Sequence, residues 1–173
     1  MYYKNGDRYE GGYQKGVREG HGIYYYKNGA KYDGEYSAGF KEGKGTLIFP
    51  DGSKYVGDFQ RNVRQGKGII YYNDGNKYEG EFKNNLREGK GCLHFNNGEY
   101  LEAIFVKDKP NGKGIYKFQD GEKYEGDYKN GVIEGYGKYY FNNGDIYEGI
   151  FKNDKLDKQE KKENEYYNNG IIY

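Results

Sequence analysis

Gly20-His21-Gly22-Ile23-Tyr24-Tyr25-Tyr26-Lys27-Asn28-Gly29-Ala30-Lys31-Tyr32-Asp33-Gly34-Glu35-Tyr36 is the stretch that decides the fold. Two aromatic, strand-like runs flank Lys27-Asn28-Gly29, and Asn-Gly or Asp-Gly between such runs is a strong hairpin signal. Equivalent turns fall at Asn5-Gly6, Asp51-Gly52, Asp74-Gly75, Asn97-Gly98, Asp120-Gly121, Asn143-Gly144 and Asn169-Gly170. Working outward, Tyr-x-Gly-x-(Tyr/Phe) begins at Tyr9, Tyr32, Tyr55, Tyr78, Tyr124 and Tyr147, every spacing being 23 residues or a multiple of it. The vacant slot holds a degenerate copy, with Leu101, Ala103 and Phe105 where Tyr, Gly and Phe would stand. A fixed period of this size means one small unit stacked on itself. No stretch shows a sustained helical period with caps. The expected fold is therefore all-β: an elongated single-sheet antiparallel β-meander of stacked hairpins. At about 4.8 Å per strand, some eight hairpins predict a rod on the order of 75 Å long.

Loop length fixes which side chains share a face. A two-residue turn at Asn28-Gly29 would pair Tyr25 with Tyr32. A type I turn followed by a left-handed glycine pairs Tyr24 with Tyr32 and Gly22 with Gly34. Pro50-Asp51-Gly52 favours the second, since Pro suits the first central turn position and Gly the left-handed site. Carried through the chain, Leu47 faces Tyr55, Ile70 faces Tyr78, Leu93 faces Leu101, Tyr116 faces Tyr124 and Tyr139 faces Tyr147. A small pair lies beside each. Outer aromatics such as Tyr26, Phe49, Tyr72, Phe95, Phe118 and Phe141 complete the face. Glycine weakens a strand, so its file reads either as close packing and bending or as a trough open to a partner's chain. Each connector has Gly16, Gly39, Asn62, Asn85, Asp108, Gly131 or Asp154 at its third position, types that tolerate left-handed backbone. The apolar residue that follows (Val17, Phe40, Val63, Leu86, Val132) is expected to turn back under the sheet as a plug.

Composition narrows the function classes. The 173 residues include 30 Gly and 24 Tyr, with a formal net charge of +1. Charges alternate along the chain, so no strong field for nucleic acid or anionic lipid follows. Recurring Tyr and Phe argue against disorder. A lone Cys92 allows no internal disulfide, which fits a reducing compartment. Met1-Tyr2-Tyr3-Lys4-Asn5-Gly6 is already repeat sequence, so no leader is expected, and no apolar run reaches membrane-spanning length. A soluble, cytoplasmic protein is expected. The array is expected over 1–151, a charged loop over 152–165 and a terminal half-hairpin over 166–173; the alternative for the charged segment is a short helix or a partner contact.

Catalytic chemistry finds little footing. His21 and His94 occupy non-equivalent repeat positions, and Cys92 stands where other copies carry Ile or Thr. Asp33, Glu35, Asp58, Glu79 and Glu81 recur on the non-aromatic face opposite Lys31, Lys54 and Lys77, as solvated cross-strand pairs do. No helix follows the glycines to make a phosphate loop. No catalytic residue, metal or cofactor is expected.

These residues resemble MORN repeats (membrane occupation and recognition nexus): Tyr55, Gly57, Phe59, Gly66, Lys67, Gly68, Asp74, Gly75 and their counterparts carry the pattern. The resemblance implies a twisted β rod with a groove, and roles in scaffolding, protein attachment and membrane association. A chain of repeats alone resembles the cytoskeletal and ciliary members, such as radial spoke head proteins.

The expected function is a non-enzymatic scaffold that grips a protein partner, as a helix or extended segment, within a ciliary or cytoskeletal assembly. The candidate groove comprises Tyr24, Tyr26, Tyr32, Tyr36, Phe49, Tyr55, Phe59, Tyr72, Tyr78, Phe82, Phe95, Tyr116, Phe118, Tyr124 and Tyr128. A second surface is suggested by Ile23, Tyr25, Ile48, Ile69, Tyr71 and Tyr140 on the other face. The alternative is a peripheral membrane adaptor for anionic phospholipids or phosphoinositides. Nucleic acid is not an expected partner, and the residues leave the oligomeric state open.

Overall fold

The computed structural model describes residues 1–162. Within them lie β1 (Arg8–Gln14), β2 (Val17–Tyr25), β3 (Lys31–Ser37), β4 (Phe40–Ile48), β5 (Lys54–Gln60), β6 (Val63–Tyr71) and β7 (Lys77–Lys83). The series continues with β8 (Leu86–His94), β9 (Tyr100–Val106), β10 (Lys109–Lys117), β11 (Lys123–Lys129), β12 (Val132–Tyr140), β13 (Ile146–Lys152) and β14 (Lys155–Lys162). All fourteen form one sheet in chain order, each strand antiparallel to the next. Among the described residues local hairpins are the only strand pairings, so the expected meander is the fold. Thirteen strand spacings at ~4.8 Å make it roughly 60 Å long.

The turn chemistry sets the register as the sequence implied. Gly29 N donates to Tyr26 O at 3.0 Å, and Tyr26 N to Ala30 O at 2.9 Å, around Gly29 at φ 91°. That is a three-residue loop with its left-handed glycine. Tyr24 accordingly faces Tyr32 and Gly22 faces Gly34, and the same pairing recurs as Leu47 with Tyr55 and Gly45 with Gly57.

The connectors are tighter than expected. Ala38 and Gly39 (φ 48° and 83°), or Arg61 and Asn62 (φ 47° and 73°), make two-residue turns with both φ positive. No slack remains for an apolar plug. Val17, Phe40 and Leu86 instead begin β2, β4 and β8, at 43%, 45% and 37% exposure. From the second connector on, each is clasped by the preceding repeat: Ala38 N donates to Glu19 Oε2 at 2.8 Å and Gly39 N to Arg18 O at 3.0 Å. Arg61 N to Glu42 Oε2 (3.0 Å) and Lys107 N to Glu88 Oε2 (2.9 Å) repeat the device.

A single sheet has no second layer, yet Tyr9, Tyr32, Tyr55, Tyr78 and Tyr124 have 0% exposure. Their rings lie over the glycine file and their hydroxyls reach a backbone carbonyl past it: Tyr32 Oη to Glu35 O and Tyr55 Oη to Asp58 O, both 2.9 Å. Phe59 and Phe82 stand between successive tyrosines, and Phe105 stands beside Tyr78. Tyr32–Phe59, Phe59–Tyr55, Tyr55–Phe82, Phe82–Tyr78 and Tyr78–Phe105 are all edge-to-face at 5.0–5.3 Å. That is the geometry the ring quadrupole favours, worth about 0.5–1.5 kcal/mol per pair beyond burial. The core is thus a one-ring-thick layer on one face.

Residues 155–162, expected within a charged loop, continue the sheet as β14. Asn153 and Asp154 (φ 48° and 63°) make the same turn without glycine, and Ile133 N donates to Asp154 Oδ1 at 2.8 Å. Asn and Asp tolerate the left-handed region, which is why the turn survives. The expected half-hairpin at 166–173 lies outside the described residues.

Candidate functional site

The aromatic face does not form an open trough. Of the candidate groove residues, Tyr32, Tyr36, Tyr55, Phe59, Tyr78, Phe82, Tyr124 and Tyr128 are buried in the ring layer. Tyr24, Tyr26, Phe49, Tyr72, Phe95, Tyr116 and Phe118 are half-buried against it. The glycine file is filled by the chain's own rings: a Cβ on Gly57 would meet Tyr55 Oη at 2.5 Å and Gly68 Cα at 2.6 Å. Long cations cover the layer, with Arg64 5.5 Å from the Tyr55 centroid, Arg87 5.2 Å from Phe105 and Lys41 4.9 Å from Tyr32.

The outer rim follows a rule that pairwise reading missed. Tyr24 Oη donates to Asp7 Oδ2 (2.7 Å), Tyr116 to Glu99 Oε2 (2.5 Å) and Tyr139 to Glu122 Oε2 (2.7 Å). Where that slot is Leu47, Ile70 or Leu93, the residue 17 earlier is Ala30, Ser53 or Asn76 instead of an acid. The constant offset is the signal that could have found these pairs. Lys27's backbone N–H and the Tyr24 hydroxyl hold the Asp7 carboxyl low, while burial and then Asp7 push Tyr24 up to about 12.

The opposite face is open. Two grooves of about 850 and 760 Å³ run along it, sharing Glu79 and Lys90 where they meet near mid-rod. Their floor is backbone, at Gly91, Ala103, Gly114 and Gly126 in one and Gly34, Gly45, Gly57 and Gly68 in the other. One wall is a central row, including Val56, Ile69, Cys92, Glu102, Ile115 and Glu125; the other is a connector-side row with Lys44, Lys67, Lys90, Ile104 and Lys113. Ion pairs link adjacent strands along that connector-side row at Lys44–Asp58 (2.6 Å) and Lys113–Asp127 (2.8 Å). Lys54 and Lys123 sit 4.6 and 4.2 Å from the rings of Tyr71 and Tyr140. Ile69 of the second expected surface lines the groove; Ile104, Ile115 and Tyr136 were not anticipated.

The histidines stand apart, His21 Nε2 lying 2.9 Å from Asp33 and the His94 ring 6.2 Å from that of Tyr100. Burial, followed by Glu102, pushes the Cys92 thiol up to about 11, which disfavours the thiolate. Among the described residues no group of three or more His, Cys, Asp or Glu gathers as metal ligands would.

The MORN repeat family model matches residues 9–31, 32–54, 55–77, 78–100, 102–123, 124–146 and 147–157. No curated protein matches the chain. Among solved structures it is similar to the Drosophila melanogaster SAS-4 (dCPAP) TCP domain in complex with a proline-rich motif of Ana2 (dSTIL): TM-score 0.50, 14% identity, covering 91% of this chain and 90% of that one. It is also similar to the wild-type TCP10 domain of Danio rerio CPAP: TM-score 0.50, 13% identity, covering 94% and 99%. At that identity the likeness is one of fold.

Proposed function

The chain belongs to the MORN-repeat family, and from that premise we propose that it is a non-enzymatic scaffold whose grooved face, not its aromatic face, receives an extended segment of a protein partner. The observation that carries this is the pair of open grooves of about 850 and 760 Å³ on the face opposite a closed ring layer. Their two walls are rows two residues apart on each strand, ~6.6 Å. That is about half the 10–12 Å diameter of a helix, so an extended chain fits the floor. The similar SAS-4 TCP domain holds a proline-rich motif, which supports a peptide-like occupant for such a sheet. The cytoplasmic, cytoskeletal or ciliary setting implied by the family resemblance is part of this proposal.

Quantitative affinity purification of the tagged chain tests it. Val56 and Ile104 are 37% and 38% exposed, so charging them leaves the core intact. The Val56→Arg/Ile104→Arg variant should lose the specific protein partner roughly tenfold or more, while Phe49→Ser/Phe118→Ser retains it. The opposite pattern returns the binding surface to the aromatic face and rejects the proposal.

A further inference from the structure

The repeat rule neutralises much of the grooved face. Within a strand, the cation two residues before the central acid pairs with it: Arg8–Glu10 (2.7 Å), Lys31–Asp33 (3.3 Å), Lys77–Glu79 (3.4 Å) and Lys123–Glu125 (2.8 Å). Between strands, the connector-side cation has a carboxylate directly opposite: Lys44 faces Asp58, Lys67 faces Glu81 and Lys113 faces Asp127. Two of those three close to ion pairs, at 2.6 and 2.8 Å.

The degenerate copy breaks both rules at once. Tyr100 stands in the cation slot, so Glu102 has no lysine two residues before it. Ile104 stands in the acid slot, so Lys90 faces an aliphatic side chain. Among the described residues neither Glu102 nor Lys90 enters an ion pair. Both are exposed and both line the larger groove, beside Cys92, Ile104 and Ile115. Cys92 faces Glu102 while Lys90 faces Ile104, which makes the two charges diagonal neighbours. Diagonal positions lie ~7–8 Å apart, within reach of long side chains. The equivalent diagonal of His21 and Asp33 closes to 2.9 Å, but Lys90 and Glu102 do not close on each other. One carboxylate and one ammonium therefore stand unneutralised across a small apolar floor.

We infer that the lapsed repeat is the specificity centre of the groove, and that it takes an extended peptide segment presenting a Lys or Arg to Glu102, an Asp or Glu to Lys90, and an apolar side chain to Ile104 and Ile115. This rests on the grooved face being the binding surface. At Lys44, Lys113 and the within-strand pairs a partner's charge must displace an existing pair. Here it meets a charge with no competitor, so the segment's register along the rod is fixed at this repeat. On the segment the two charges fall within about three positions of each other, the span of the diagonal at ~3.3 Å per residue.

Random peptides displayed on phage and selected on the purified full chain provide the probe. Enriched peptides should carry an acid and a base within that span around an apolar residue. Synthetic copies, titrated by fluorescence anisotropy, should bind Lys90→Glu and Glu102→Lys each roughly tenfold or more weakly. A peptide with its two charges exchanged should recover affinity on the Lys90→Glu/Glu102→Lys double variant. Both side chains are solvent-facing, and thermal melts of the variants should match the parent. Peptides indifferent to both single changes but lost on Val56→Arg/Ile104→Arg overturn this inference and leave the groove standing. If nothing is enriched, or peptides bind that groove variant undiminished, both readings fall.

Discussion

Tyr36 and Tyr128 carry buried hydroxyls that find no hydrogen-bond partner among the described residues, in the slot that Phe59, Phe82, Phe105 and Phe151 fill elsewhere. An unsatisfied buried hydroxyl costs about 1–3 kcal/mol. Tyr36→Phe should therefore raise stability by about 1 kcal/mol in a denaturant titration, whereas Tyr55→Phe, which surrenders the bond to Asp58 O, should not. Lys41 presents the complementary case. It lies over the rings of Tyr26 and Tyr32, with no carboxylate paired to it among the described residues, and burial, then Arg18, lowers its ammonium to about 8. The unfolded chain holds that proton up to about 10.4. Between these values the unfolded state binds more protons, so this group's contribution to stability rises with pH across the window and is least favourable below 8. Measured against Lys41→Met, which lacks the group, wild type should gain in thermal midpoint as pH climbs from 7 to 10. Raised tyrosine pKa values act in the reverse sense at the top of that range, but both proteins share them. The aromatic columns themselves were legible from spacing. Which of their atoms would be orphaned was not, because that depends on where a ring's edge ends, not on which strand carries it.

At the level of the strand pair, the two oddities of the degenerate copy compensate each other. In the regular copies a tyrosine lies over its own glycine and over the next strand's, as Tyr55 lies over Gly57 and Gly68. In β9 the tyrosine is Leu101, and the glycine slot holds Ala103, buried at 8%. The shorter side chain leaves room for the methyl. Leu101→Tyr alone should therefore overpack against Ala103 and cost about 1–3 kcal/mol. Combined with Ala103→Gly it should cost far less, a non-additive cycle of the kind expected for residues in contact. Additive effects in urea unfolding would refute the account. The hairpin register was readable from Pro50-Asp51-Gly52 because turn chemistry is local. The fate of Val17 and Phe40 was not, since a connector's sequence shows which residues accept positive φ without showing that two of them suffice to reverse the chain. The same ambiguity hid β14, whose connector keeps the geometry after losing its glycines.

For the molecule as a whole, periodicity gave the sheet and its order, but not which face would stay open. Both faces of these strands carry aromatic and aliphatic side chains, and the pattern is silent on whether rings fold back over glycines. Only the folded rings reveal that the tyrosine-rich face is closed and the charged face grooved. The strand order carries a mechanical consequence. With β1 at one end and β14 at the other, every strand lies across the line joining the ends, and the interstrand hydrogen bonds lie along it. A pull between the ends loads those bonds one ladder at a time, in peel and never in shear. Held between residues 8 and 152 in an optical trap, the rod should yield at low force in even steps. Each should release one 23-residue repeat, roughly 80 Å of contour at ~3.5 Å per residue. A single cooperative rip would contradict it. Such a chain is built to give way under tension by counted lengths, behaving less as a strut than as a tape that lengthens and reseals.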